Sequence, residues 1–198
     1  MNVLLIIANP PHDGHCSRIV DDVKHFLAKQ NTIYKTIDLY EDKYDPVLHP
    51  DQLYTAGGYK SDSLSKKYQK LLEESTHQIY VYPIWWNTMP AILKGFFDKC
   101  FVARKAFAYK KVKWSPYAIP IKLWKGKKAA VFTTMGAPKV GALLWLKMRF
   151  KSIISSDILG FCGVKAKVHP LCACTTDPKL REAEITNAVK RGLRTLLG

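Results

Sequence analysis

The chain has 198 residues, 47% hydrophobic and 24% charged, with a net charge of +15. This is the composition of an ordinary globular domain, long enough to bury a substantial core, and one domain over residues 1–198 is expected. Residues 1–10 lack a basic leader, and the longest apolar tract, 140–161, is interrupted by Lys147, Arg149, Lys151 and Asp157, so neither a signal peptide nor a membrane span is expected. Five cysteines, an odd number without secreted context, fit a reduced, cytoplasmic protein better than a disulfide framework.

In chain order, short β-branched and apolar runs alternate with longer amphipathic stretches. Strands are predicted at 3–8, 32–39, 78–84, 128–134 and 165–171, and this alternation indicates a parallel sheet covered by helices on both faces. Between the first two strands, Ile19, Val20, Val23, Phe26 and Leu27 recur at helical spacing, which predicts a helix over 17–29 with Asp21, Asp22 and Lys24 outward. Further helices are predicted at 63–74, 90–101, 142–159 and 177–197, the last starting with the cap-and-proline pair Asp177-Pro178. Residues 40–62 and 102–125 read as long loops, a length that in compact domains usually serves function or an interface.

Charge is unevenly spread. Residues 1–98 hold 10 Lys/Arg against 12 Asp/Glu, and residues 99–198 hold 21 against 4, so the second half carries the positive field. The stretch 99–128 has ten basic residues and no acidic one, suited to a phosphorylated cofactor, an acidic protein or an anionic membrane, or simply to solvated loops. Nucleic acid is not expected, because no helix-turn-helix, finger or RNA-binding signature accompanies the dispersed lysines.

A doubly wound five-stranded sheet of order 2-1-3-4-5 offers a crevice beyond the carboxyl ends of strands one and three, which directs attention to the strand-end loops. The first loop runs from Ala8 through His12, Gly14, His15 and Cys16 to Ser17 and opens a helix, where unpaired N–H groups and the helix dipole favour a phosphate. It matches neither a Walker loop nor G-x-G-x-x-G, and a plain turn capped by Ser17 fits it equally well. The loop after strand three, Pro83-Ile84-Trp85-Trp86-Asn87-Thr88-Met89-Pro90, sets two tryptophans and a polar pair at the crevice, where a planar heterocycle could lie.

Residues 83–99 resemble the flavin-loop signature of the NAD(P)H quinone oxidoreductases. Thr133-Thr134-Met135-Gly136 looks like that family's Thr-Thr-Gly-Gly loop, and residues 8–17 are similar to its phosphate loop. The resemblance covers most of the chain and is weakest over 40–62 and the last strand and helix. It implies a flavodoxin-like fold, a bound flavin (FMN, with FAD left open) and NAD(P)H as co-substrate for reduction of a quinone-like acceptor by ping-pong exchange.

It further implies that His15, Cys16 and Ser17 hold the flavin phosphate with His12 nearby, and that Pro83, Ile84, Trp85, Trp86 and Asn87 wrap the ring. Thr133, Thr134, Met135 and Gly136 would pass along its pyrimidine side. Met135 replaces the first glycine of the family loop, which narrows the freedom of that turn and puts a thioether near the ring. No tyrosine or histidine follows the loop to relay a proton, so no catalytic side chain is assigned.

Relatives in the family are commonly homodimers, and 102–125 is the expected contact region. An electron-transfer flavodoxin is the first rival, opposed by the +15 charge. A regulatory subunit docking peripherally on a membrane transporter is the second. His169, Cys172 and Cys174 crowd together without zinc-site spacing, so no metal is expected.

Overall fold

The computed structural model describes residues 1–11, 13–53, 60–114, 116–144 and 146–198. Five parallel strands form the central sheet: β1 (Val3–Ile7), β2 (Tyr34–Asp38), β3 (His77–Pro83), β6 (Lys128–Thr134) and β7 (Lys165–Leu171), in the order β2-β1-β3-β6-β7. Counted along this sheet alone, that is the expected order 2-1-3-4-5.

All five residues of β1 are buried, as a strand covered on both faces requires. Val3, Leu5 and Ile7 face α1 (His15–Lys29) and α6 (Glu182–Leu197), through Ile19, Val23, Ile185 and Leu193. Leu4 and Ile6 face the other layer, which contains α2 (Ser63–Glu74) and α3 (Ala91–Cys100). Because side chains alternate along a strand, one apolar run feeds two separate cores.

Two regions depart from expectation. The helix expected over 142–159 is broken into α4 (Lys139–Leu144), α5 (Arg149–Ser152) and a π-helical stretch, Ile153–Gly160. Lys147 and Met148 take left-handed φ angles of 49° and 44°, which ends one helical path and starts another. The 102–125 loop contains a separate antiparallel hairpin, β4 (Phe107–Lys110) with β5 (Ile119–Lys122).

The segment after β2 folds back onto α2 and α3. Tyr44 is 3% exposed and packs against the rings of Tyr68 and Phe96 at 5.5 and 6.1 Å. Lys99 Nζ, buried on α3, donates to Asp45 O at 2.9 Å and pairs with Asp62 Oδ2 at 3.0 Å. Burial alone would raise the Asp62 carboxyl, but the Ser65 backbone N–H and the Lys99 ammonium outweigh it and hold the pKa at about 2, down from 3.8.

A carboxyl depressed in the folded state stabilises the fold above its unfolded pKa, and that contribution fades as pH falls through the folded value. Urea midpoints are therefore expected to fall between about pH 4 and pH 2 more steeply for the native chain than for Asp62→Asn. Parallel pH profiles would contradict this. Among the described residues no helix is long and apolar enough to cross a membrane.

Candidate functional site

The carboxyl ends of β1, β3 and β6 open into a cleft of about 250 Å³, at the switch point between β1 and β3. Its first wall is the start of α1. Asn9 follows β1 and donates from Nδ2 to Ser17 Oγ at 3.1 Å, drawing the loop onto the helix. Gly14, extended at φ −157°, is the N-cap and supplies no side-chain cap.

Helix one therefore starts two residues earlier than expected. His15, Cys16 and Ser17 occupy its first three positions instead of Ser17 capping it. The first intrahelical bond recorded there is Arg18 N to Gly14 O at 3.0 Å. In the first turn of a helix the backbone N–H groups are directed toward its N-terminal end, here toward the cleft.

Cys16 ties this wall to the next. Its Sγ lies 3.1 Å from Thr134 Oγ1, and burial pushes the thiol up to about 12 despite that hydrogen bond. A thiol so protonated is a packing group and not a nucleophile. His15 is 9% exposed, and its Nε2 has no hydrogen-bond partner among the described residues. Burial first, and the Arg181 guanidinium second, lower its pKa, so the ring is neutral near pH 7.

The second wall follows β3. Ile84 N donates to Thr134 O at 2.7 Å, extending the strand pairing by one step. Trp85 and Thr88 then exchange backbone hydrogen bonds of 3.0 Å, closing a tight turn with Trp86 and Asn87 at φ 50° and 58°. Two successive left-handed residues are the pattern of a type I′ turn, which suits asparagine and strains tryptophan. Asn87 Nδ2 donates to Leu146 O at 2.9 Å, anchoring the turn to the connection between α4 and α5.

The third wall is the β6 end, Thr134-Met135-Gly136, held by Met135 N to Leu171 O at 3.0 Å and Cys174 N to Met135 O at 2.9 Å. Arg181 secures the loop behind it, donating from Nη1 to Cys172 O at 2.7 Å and Ala173 O at 3.0 Å while its other nitrogens grip Glu184. Among the described residues, none that lines the cleft carries a carboxylate. The cleft thus presents neutral and donor groups to whatever enters it.

Of the residues singled out from sequence, His15, Cys16, Pro83, Ile84, Trp85, Thr134, Met135 and Gly136 line this cleft. Ser17 stands behind the rim, bonded to Asn9. Trp86 is 99% exposed and projects outward, and Asn87 is committed to Leu146, so neither lines the cleft. Thr133 is fully buried with its hydroxyl unpartnered, one strand position out of phase with the cleft wall. His12 lies outside the described residues. Met135 does not take a left-handed φ, so the turn tolerates the loss of the family's first glycine.

Asn9, Gly14 and Cys174 also line the cleft, and Arg181 supports it. Gly14 before a helix start was a readable signal, whereas Cys174 and Arg181 arrive from a distant loop that no local pattern marks. His169 stacks on Phe132 at 5.2 Å beneath α6, and the described residues contain no group of His, Cys, Asp or Glu arranged to hold a metal.

A model of the flavodoxin-like fold matches residues 1–196. An uncharacterized NAD(P)H oxidoreductase of Haemophilus influenzae is 30% identical over 139 residues, 69% of this chain and 65% of the relative, so the match spans slightly less than two thirds of that protein. An FMN-dependent NADH:quinone oxidoreductase of Mycoplasma mycoides is 27% identical over 187 residues, covering 90% of this chain and 88% of the relative. A crystal structure of a Streptococcus mutans protein superposes with a TM-score of 0.77 at 27% identity, covering 96% of this chain and 100% of that one.

Proposed function

The chain belongs to the flavodoxin-like fold family, and on that premise we propose that it binds FMN in this cleft and acts as an NAD(P)H-dependent oxidoreductase on quinones or similar planar acceptors. The observation that carries the reading is the convergence of three backbone segments on one crevice whose described lining holds no carboxylate: the first turn of α1, residues 83–85 and residues 134–136.

The donor set fits the cofactor. Main-chain N–H groups of His15, Cys16 and Ser17 suit the phosphate, since a helix N-terminus directs donors outward and supplies a favourable dipole. The unpartnered His15 Nε2 is a further polar atom on the same wall that a ligand could satisfy. Trp85, about half exposed, offers an apolar face on the wall after β3, and residues 134–136 supply backbone along the opposite side. FMN is preferred over FAD because the Mycoplasma mycoides relative is named for FMN dependence.

The hydride-transfer chemistry between NAD(P)H and the acceptor would be supplied by bound FMN, which the residues of the cleft would position and polarise. A single cleft serving both substrates in turn implies ping-pong kinetics. For self-association, the 102–125 region expected from sequence stands beside a second candidate surface, the apolar rim next to the cleft. Val140, Leu143 and Leu144 are each more than half exposed along one short helix, close to the outward Trp86 turn. Leu143→Asp should then leave a monomer on sedimentation, and an unchanged sedimentation profile would remove this interface. Five free thiols suit a reducing, cytoplasmic setting.

The test is the absorbance spectrum of the purified protein, followed by chromatography of the acid-released cofactor. A flavin spectrum that yields FMN is expected. A colourless protein that takes up no added FMN would overturn the proposal, and intersecting initial-rate lines would remove the ping-pong step alone.

A further inference from the structure

A second recess, of about 470 Å³, lies beside the amino-terminal halves of β6 and β7, at the opposite end of the sheet from the cofactor cleft. The two share no lining residue. Its shape follows from the way α6 lies on the sheet. Gly192 lets that helix settle directly on β6, since an added Cβ would fall 2.6 Å from Phe132 Cζ. The edge strand β7 is left partly uncovered on the same face, where Lys165 and Lys167 are exposed. Ala130, Val164 and Leu196 give the recess an apolar lining, and the ring of His169, stacked on Phe132, closes its inner end.

The charge at its mouth has no counterpart in the fold. Registered neighbours on parallel strands share a face, so Lys128 stands beside Lys165, and Lys167 follows two residues on, all three toward α6. With strands about 4.8 Å apart, ammonium groups placed in this way repel. None of the three joins an ion pair among the described residues, and none of the described lining is acidic. Burial first, and then the cations of Lys167, Arg191 and Lys151, lower the His169 pKa, so the same positive field reaches the inner end. Ser155 joins the rim from Ile153–Gly160, a stretch that is π-helical over eight residues, a rare conformation frequently found at functional sites.

We propose that this recess binds a small phosphorylated ligand, a phosphate monoester carried on a compact apolar body. Three neighbouring ammonium groups match a dianion, whereas a single carboxylate would leave most of their mutual repulsion in place. The apolar lining receives the carbon body. The volume falls within the range of about 300–1,000 Å³ usual for small-molecule sites, and no Phe, Tyr or Trp among the described lining residues offers a base a surface to stack on, which favours this occupant over a nucleic-acid strand. No residue of the cofactor cleft takes part.

Calorimetric titration of the full chain, saturated with FMN, with phenyl phosphate at about 0.05 M salt tests it. One equivalent is expected to bind, more tightly than inorganic phosphate, which lacks the apolar body, and than phenol, which lacks the charge. K165E/K167E is expected to weaken binding at least about tenfold. Its melting temperature should be equal or higher, because a carboxylate at position 165 beside Lys128 turns repulsion into attraction. Ser17→Glu, which closes the cofactor cleft to phosphate, should bind phenyl phosphate as the native chain does. Absence of binding would overturn the proposal, as would unchanged affinity in K165E/K167E, or phenol or inorganic phosphate binding equally well. Loss of binding in Ser17→Glu alone would place the ligand in the cofactor cleft instead, and tighter binding of single-stranded DNA that K165E/K167E abolishes would assign the recess to nucleic acid; either result overturns it.

Discussion

Replacing Ser17 by glutamate is expected to weaken FMN binding at least about 100-fold while leaving the fold as stable as before or slightly more so. Position 17 lies in the first turn of α1, which carries no acidic residue. An added carboxylate there complements the helix dipole, worth about 0.3–1 kcal/mol to the helix. The same carboxylate would stand within a few ångströms of the proposed phosphate. At an effective dielectric near 20, two like charges about 5 Å apart repel by roughly 3 kcal/mol, more than the 2.7 kcal/mol of a 100-fold change. Two effects of opposite sign separate binding from stability, which a destabilising substitution could not do. Fluorescence titration with FMN and a thermal melt on the same preparation read both, and an affinity within threefold of the native value would remove the phosphate from this helix end.

Gly95→Ala is expected to cost about 2–3 kcal/mol, against the usual gain when glycine inside a helix becomes alanine. Gly95 sits mid-way along α3, and an added Cβ would fall on the Pro46 carbonyl oxygen and within 2.5 Å of Pro46 Cα. The obstacle is backbone, so no side-chain rotation relieves it. Either α3 shifts or the segment around Tyr44 lifts away, loosening Tyr44 from Tyr68 and Phe96 and the Asp45 carbonyl from Lys99. Since α3 begins directly after the loop that forms the second cleft wall, part of the loss should also reach FMN affinity. Urea unfolding measures the first effect, and a stability gain of about 1 kcal/mol, as at an open helical site, would show that the contact is not tight.

Local pattern made most of the scaffold legible. The central strands β1, β3 and β6 show as short apolar runs, because a parallel sheet covered on both sides demands continuous burial there, and all five strands pair in the predicted order. The helix at Ser63–Glu74 has the predicted bounds, with Asp62 accepting from Ser65 N at 2.7 Å as a cap should. The later helix failed to read as three pieces because neither Lys147 nor Met148, which take left-handed φ angles, is a residue type that signals a break. The hairpin failed to read as strands because its arms are only four residues each, and one of them carries Pro120.

The amino-acid sequence by itself marked the segments that come to line the cleft. Strand ends, a glycine before a helix and an aromatic turn are local features, and sheet topology brings them to one crevice. Tertiary structure decided which atoms face that crevice. Thr134 lines it while Thr133 is buried in the core, because adjacent strand residues point to opposite faces. Trp85 lines it while Trp86 projects into solvent, because the turn reverses between them. Cys174 and the guanidinium of Arg181 join from residues more than 150 positions away from His15 on the first wall, through contacts that no neighbouring sequence encodes. Position along the chain is local information, whereas side-chain direction and long-range closure are settled only when the packed layers come together.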